Sequence, residues 1–440
     1  MKTRIRIPFV RQNASSRKAV TRLSDLPDVL LTKILSYLKA REVAQTCILS
    51  KRWRNLWASV PCLHFDLAEF SSLYSCESHR RFIKFVSSFL LSIDENASLD
   101  VFHLICVGDI SYYNGISDAA SVWIEKAVKC KPKKLQLEFS YYKGLTIPHS
   151  VYICDSLEEL CIIMCSGVEK IRFEPDEVHL PKLKRLHLSD FHAFDYGMEK
   201  LRYGCPILES LSLVYFLLET QNVFFGSLKR LSMTSCIFYY LDFSVSAPDL
   251  EYLSIDGGTY GRISSNKMPK MTEASITFCR FKEECDVLYS LVNVEVLEIA
   301  IPYLLELVKY ALQNSLIFPK LKRLTLGRFC MNCAFGTLSS LLKCASKLEI
   351  LTLYHDCSNE VDGDCCCILN KSKILDIVGC YRRKCKTMNS IEKVEWFDFK
   401  CLKEVKIFCN KYTFGVLQLV KRVKLSTKGL KKVQVVLSYY

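Results

Sequence analysis

A short leucine pattern recurs along most of this 440-residue chain, and no other feature limits its fold so strongly. The unit reads roughly LxxLxL, often after a proline. It appears as PKKLQLEF (132–139), SLEELCIIMC (156–165), PKLKRLHLSDF (181–191), PILESLSLVYF (206–216), SLKRLSMTSC (227–236) and PDLEYLSIDG (248–257). It continues as VEVLEIAI (294–301), PKLKRLTLGRFC (319–330), SKLEILTLYHDC (346–357) and CLKEVKIFC (401–409). The strand leucine falls at Leu135, Leu160, Leu186, Leu211, Leu231 and Leu253, then at Leu297, Leu324 and Leu351, in steps of 20 to 27 within each run. An LxL alternation sets both leucines on one face of a strand. The leucine three residues earlier turns into the same core. One unit cannot close that core, but stacked units can.

The period and the pattern are those of a leucine-rich repeat. The predicted fold class is α/β: an irregular solenoid over 132–357, with a curved parallel sheet and helices or loops on its convex side. The gap from Leu253 to Leu297 leaves room for a degraded unit at MTEASITFCRF (271–281). The longer gap after Leu351 holds DCCCILNKSKILDIVGC, which has space for another. An amphipathic helix fits 113–130, with Ile116, Ala120, Trp123, Ile124, Ala127 and Val128 on its apolar side. Leu338 to Ala345 gives a second. The residue between the two strand leucines faces away from the core. Gln136, Cys161, His187, Ser212, Ser232, Ser254, Glu298, Thr325 and Thr352 therefore form the candidate target-binding row. They are mixed in character, so no single charge type is selected.

The first 66 residues do not follow the repeat. Residues 1–24 carry Lys2, Arg4, Arg6, Arg11, Arg17, Lys18 and Arg22 and no acid, half of the formal excess of +14. A solvated basic arm over 1–21 is the plain reading, and a nuclear-import or nucleic-acid role the sharper one. Beyond the arm, no stretch combines clustered arginine with spaced aromatics, so nucleic-acid binding is not supported. Residues 22–66 read RLSDLPDVLLTKILSYLKAREVAQTCILSKRWRNLWASVPCLHFD. Ser24 or Asp25 can cap a helix whose first turn contains Pro27. Leu26, Leu30, Leu31, Ile34, Leu35 and Leu38 give it a wide apolar face. Further helices fit Ala40–Ser50 and Lys51–Ala58, with Pro61 as the stop. Three short helices cannot bury that much apolar surface alone. They either cap the repeats or bind a partner, and periodicity leaves both open.

The residues themselves resemble the F-box motif: Leu26-Pro27, Leu30-Leu31, Ile34-Leu35, Tyr37-Leu38, then Cys47, Leu49-Ser50-Lys51-Arg52-Trp53 and Trp57. The resemblance covers about a tenth of the chain. It implies binding to an SKP-type adaptor and, through it, a cullin. By the same resemblance Leu26, Pro27, Leu30, Leu31, Ile34, Leu35, Leu38, Leu49, Ser50, Trp53 and Trp57 lie at or beside the adaptor interface. For each tryptophan, packing inside the bundle is the competing role. Residues 67–131 would link to the repeats with their first helices, and 358–395 would be an irregular insertion. Residues 396–440 read as strand, loop, helix, strand and resemble the FBD domain that closes plant-type F-box repeat proteins. The implied function is a substrate-recognition subunit of an SKP–cullin–F-box ubiquitin ligase that binds an unknown target. The alternative is a non-degradative interaction scaffold.

Catalytic and metal chemistry find little support. Phosphate-loop, zinc-protease and serine-elbow motifs are missing. Gly257-Gly258-Thr259-Tyr260-Gly261 follows a repeat strand and reads as a turn. Cys330 and Cys333 have CxxC spacing, and Cys365, Cys366, Cys367, Cys380 and Cys385 are near in sequence, but a zinc site needs two well-spaced pairs. His187 and His192 lack a nucleophile partner in the pattern. No cofactor is expected. The 23 cysteines are odd in number and scattered, and no secretory signal or membrane run is evident. They read as reduced thiols filling core gaps, in cytoplasm or nucleus.

Overall fold

The computed structural model describes residues 23, 26–70, 76–94, 97–108, 115–140, 145–165, 171–240, 242–256, 262–265, 268–277, 290–300, 316–329, 331–355, 400–409, 414–427 and 429–437. The basic arm, the 358–395 insertion, the Gly257–Gly261 turn and the cysteines at 330, 365–367, 380 and 385 lie outside them.

Each LxL unit is a strand, and the strands form one 14-stranded sheet whose spatial order follows the chain. Every pairing in it is parallel. The register runs Leu135, Leu160, Leu186, Leu211, Leu231, Leu253, Ala274, Leu297, Leu324, Leu351 and Val405 as one continuous row. Each of those side chains is at most 3% exposed. Leucines three residues ahead, such as Leu157, Leu183, Leu208 and Leu228, are fully buried beneath them. Each buried leucine contributes about 1.5–3 kcal/mol, and no repeat makes that gain without its neighbours. The degraded unit is a strand, Glu273–Thr277, in the expected place. The Ile350–His355 strand pairs directly with Glu404–Cys409.

One expectation needs correction and another becomes specific. First, the sheet starts at Cys62–Asp66 and Val101–Cys106, well before residue 132. Their inward residues are Leu63 with Phe65 and Phe102 with Leu104, so phenylalanine shares the core row with leucine. Second, among the described residues the convex side carries both helices and extended chain. Helices cover Cys76–Leu91, Ile116–Lys129, Asp195–Gly204, Met331–Lys343 and Phe414–Ser426. In the middle, short parallel strands replace them: Ile171–Phe173, Phe191–Phe194, Leu217–Glu219 and Ile237–Phe238 in one small sheet, and Asn222–Phe224, Asp242–Ser246 and Arg262–Ser265 in another. The cause is length. Between Leu211, Leu231 and Leu253 the steps shrink to 20 and 22 residues. A helix advances about 1.5 Å per residue and a strand about 3.3 Å, so only extended chain closes the loop there.

After the sheet strands the chain turns through Asp190, Tyr215 and Ser235, at φ of 70°, 50° and 52°. These are left-handed corners at non-glycine residues, which cost energy locally. Inter-repeat hydrogen bonds offset it: Asp190 N–H donates to Val214 O and Tyr215 N–H to Thr234 O, both at 2.8 Å. Phe191, Phe216 and Cys236 then turn inward. The Cys236 thiol donates to Leu213 O at 3.4 Å, where an asparagine serves in regular repeats.

A second row runs along the edge where strands begin. Two residues ahead of each strand leucine stand Asp100, Lys133, Glu158, Lys184, Glu209, Lys229 and Glu251, alternating in sign. Thr272 interrupts, and Glu295, Lys322, Glu349 and Lys403 resume. Ion pairs join Asp100–Lys133 at 2.7 Å, Glu158–Lys184 at 3.4 Å, Glu209–Lys229 at 3.0 Å, Glu295–Lys322 at 2.8 Å and Glu349–Lys403 at 2.7 Å. From Lys133 to Lys403, each backbone carbonyl in this row also accepts from two N–H groups of the next repeat, as Lys184 O does from Glu209 and Ser210.

Candidate interaction surfaces

The N-terminal module is a helical bundle with its own small core. Its first helix is Asp28–Leu35, with Pro27 at the N-cap position and no side-chain cap. The Ser24 and Asp25 caps considered from sequence lie outside the described residues. The second helix is shorter than expected, Ala40–Gln45 followed by a 3-10 turn at Thr46–Ile48. The third is two 3-10 turns, Lys51–Arg54 and Leu56–Ser59. The Arg52 guanidinium pairs with Asp28 and ties the last segment to the start of the first helix.

This geometry divides the predicted adaptor residues. Leu31 and Leu35 are 0% exposed and Trp53 2%; with Val43, Leu56 and Val60 they are the bundle's core. They offer no surface to a partner, which corrects their assignment: they hold the helices together. Leu26 and Leu38 lie half-buried against that core. Trp57 bridges instead, its ring 4.6 Å from Phe89 of the first repeat helix. Pro27, Leu30, Ile34 and Leu49 are exposed, and Ser50 is intermediate. Leu30 is 46% and Ile34 39% exposed on one helix face, four residues apart. Val29, Tyr37 and Ile48, none of them assigned to the interface from sequence, are more exposed still, and the periodicity that turned Ile48 inward is overruled by the 3-10 turn that carries it.

The bundle is fixed to the repeats. Lys39 Nζ lies 2.7 Å from Asp66 Oδ2 and 3.4 Å from Glu69 Oε1. The hydrogen bond it donates to Asp66 raises the Lys39 ammonium above its ordinary value, although burial opposes it. Arg41 covers the Phe70 ring at 5.0 Å, and Ala40 is buried in the repeat core.

On the concave face the predicted target row is continuous. Gln136, Cys161, His187, Ser212, Ser232 and Ser254 are consecutive register partners, and Glu298, Thr325 and Thr352 follow in turn. All are half-buried. Ser275 fills the place between Ser254 and Glu298, and His64 and His103 extend the row at its start. Sequence reading missed these because their strands lacked the leucine template. The row is internally bonded: His187 Nδ1 to Ser212 Oγ at 2.9 Å, and Ser275 Oγ donating to Glu298 Oε2 at 3.0 Å. His103 meets Glu138 at 3.1 Å. Desolvation lowers the His187 and His64 imidazoles, which favours their neutral forms. Four serines in succession make a low floor, with Arg230 stacked over Tyr252 at 4.2 Å along one side.

His192 pairs with Glu219 at 2.8 Å and lies tilted against the Phe194 ring at 4.4 Å, away from the concave row. Burial pushes the Cys161 thiol up to about 11 and the Cys205 thiol to about 12, so both stay protonated and unreactive at neutral pH. Cys106, Cys130, Cys154, Cys205, Cys236 and Cys409 fill core positions. Among the described residues no group of three or more ligating side chains could hold a metal, and no helix is long and apolar enough to cross a membrane.

A bundle with surplus apolar surface, joined to a leucine-rich solenoid, defines the architecture of an F-box/leucine-rich-repeat protein. Residues 23–65 match the F-box domain family, and residues 121–275 match the family described as the LRR repeats of FBD-associated F-box protein At5g56370. The chain thus carries a region that matches the F-box domain, followed by one that matches FBD-associated repeats. In Arabidopsis thaliana it is similar to a protein named for an F-box and LRR repeats, At3g59170, at 29% identity over 84% of this chain and 88% of the relative. It is 31% identical to F-box/LRR-repeat protein At4g14103, over 58% of this chain and 66% of that one, and 33% identical to F-box/LRR-repeat protein 13, over 58% and 56%.

Proposed function

We propose that this chain is the substrate-recognition subunit of an SKP–cullin–F-box ubiquitin ligase, acting in cytoplasm or nucleus. The observation that carries this is the exposed apolar face of the Asp28–Leu35 helix. The bundle core is already filled from the other side, so Leu30 and Ile34 gain burial only against a second molecule. An SKP-type adaptor is the partner an F-box provides for, and the adaptor brings the cullin. The concave row then receives the target protein, with the small side chains from Ser212 to Ser275 leaving room at its middle. The chain contributes no reacting group. It raises the concentration of target lysines near the conjugating enzyme, and the rigid joint between bundle and repeats maintains that placement. The residues after 396 continue the same sheet, which supports an FBD-like role as its closing unit.

The test is co-purification of the full chain with adaptor and cullin, comparing Leu30→Asp with Ile34→Asp. Both positions face outward, so the melting temperature should hold while adaptor capture is lost. Undiminished capture by both variants would reject the interface. Adaptor capture without any cullin would instead favour the non-degradative scaffold.

A further inference from the structure

The two ends of the repeat sheet differ. At the first strand, the bundle packs against the sheet, with Lys39 paired to Asp66 and Ala40 in the repeat core. At the last strand, Lys432–Leu437, nothing among the described residues pairs with the outer side. Burial is unfinished there. Val405 and Ile407 of the neighbouring strand are fully buried, yet their register partners Val433 and Val435 are only half so, and Leu437 is 45% exposed. The adjoining helix also leaves Leu417 and Leu425 in solvent.

The backbone is available as well. Lys432 N–H donates to Lys403 O at 3.1 Å. In a parallel ladder this directs both backbone groups of Lys432, Gln434 and Val436 toward the Glu404–Cys409 strand. The N–H and C=O groups of Val433, Val435 and Leu437 therefore point to the open side.

Charge then selects the occupant. Along the strand-start row, acid and base alternate up to Glu349 and Lys403. The next member is Lys431, a second lysine where the alternation calls for an acid. Among the described residues Lys431 has no acidic partner, and its neighbours Lys421, Lys424 and Lys432 are exposed. Residues 400–437 contain nine lysines, one arginine and a single acid, Glu404. Glu404 is shared between Lys406 at 3.4 Å and Lys432 at 3.7 Å.

We propose that this end of the sheet is a docking edge for an extended acidic segment of a partner protein. The segment adds as a further strand beside Lys432–Leu437, covers Val433 and Val435 with apolar residues, and sets a carboxylate against Lys431. Backbone pairing supplies affinity and the lysine supplies selectivity. The surface is at the opposite end of the chain from the F-box, so it does not depend on adaptor binding.

The test uses the full chain and a fluorescent peptide alternating glutamate and valine, long enough to pair along the whole strand. Its counterpart alternates lysine and valine, and an oligonucleotide of equal charge serves as competitor. The acidic peptide should bind at least about tenfold more tightly than the lysine one, as expected for one retained charge-assisted contact. Lys431→Glu should abolish that preference while the melting temperature holds, because it completes the alternation with Lys403. Val435→Pro removes an outward N–H and no ladder bond, and should weaken binding to a similar degree. Equal binding of the two peptides, or unchanged binding by both variants, would overturn the proposal. So would equal competition by the oligonucleotide, which would mean charge attraction without strand pairing. Self-association of the chain that Lys431→Glu removes would also overturn it, by assigning the edge to a second copy.

Discussion

Trp53 and Leu30 lie in the same motif and have opposite fates. Trp53 is 2% exposed and Leu30 46%. The sequence shows both as large apolar residues at motif positions and carries no sign of which way they face. The first helix has only 8 residues and is apolar on two sides, so its periodicity does not separate core from surface. Packing decides: the face toward Val43 and Trp53 is filled, and the other is left over. Trp53→Ala should therefore act on stability. Loss of a buried tryptophan costs about 3–5 kcal/mol, and a bundle this small has little to spare. Chemical denaturation followed by the bundle's hydrogen-exchange protection should show the module opening while the repeats stay protected. Full protection of the module in that variant would put Trp53 outside the core.

The strand-start row shows what one element gains from another. It was visible in the sequence as Leu-Glu and Leu-Lys steps before successive strands, at Glu158, Lys184, Glu209 and Lys229. Its meaning needed the register, which sets those residues side by side across repeats. The hydrogen bond and charge of the facing lysine hold the carboxyls of Glu209, Glu295 and Glu349 below the usual range. A carboxyl lowered in the folded state releases its proton more readily there than in the unfolded chain. Its contribution is complete above the ordinary value of 4.5 and disappears as pH falls through the lowered folded values. The melting temperature should thus decline below about pH 4.5, less so at high salt, because these pairs are exposed and screened. Replacing all three glutamates by glutamine should flatten that acid limb. An unchanged limb would show that other carboxylates govern it. The left-handed corners at Asp190, Tyr215 and Ser235 were not legible, since none is glycine and each depends on a hydrogen bond to the following repeat.

At the scale of the whole molecule, the repeats share one core. The spacing of leucines was enough to predict the parallel sheet, its order and the strand at Glu273–Thr277. It missed the first two strands because Phe65 and Phe102 stand where the leucine template was sought. The helices or loops expected on the convex side are short strands where the steps shrink to 20 and 22 residues. The shared core has a mechanical test. Leu186 and Leu188 are 3% and 0% exposed, between the Leu160 and Leu211 strands. Replacing both by Asp would bury two unpaired charges at a cost of several kcal/mol, roughly. Limited proteolysis should then cut throughout 150–215 and leave an adaptor-binding F-box fragment. Cleavage confined to one surface loop, with Leu160 and Leu211 still protected, would mean that the units are independent.

The alternating row also gives the array a parity. Leu-Glu and Leu-Lys repeats behave as two kinds of tile laid in turn. Removal of one tile would bring two acids, or two lysines, onto adjacent strands at the new junction. Removal of a neighbouring pair would restore the original sequence of signs. Where Thr272 takes a lysine's place, the count passes through unbroken, because Glu251 and Glu295 remain two steps apart. A chain built this way changes length most easily by even numbers of repeats.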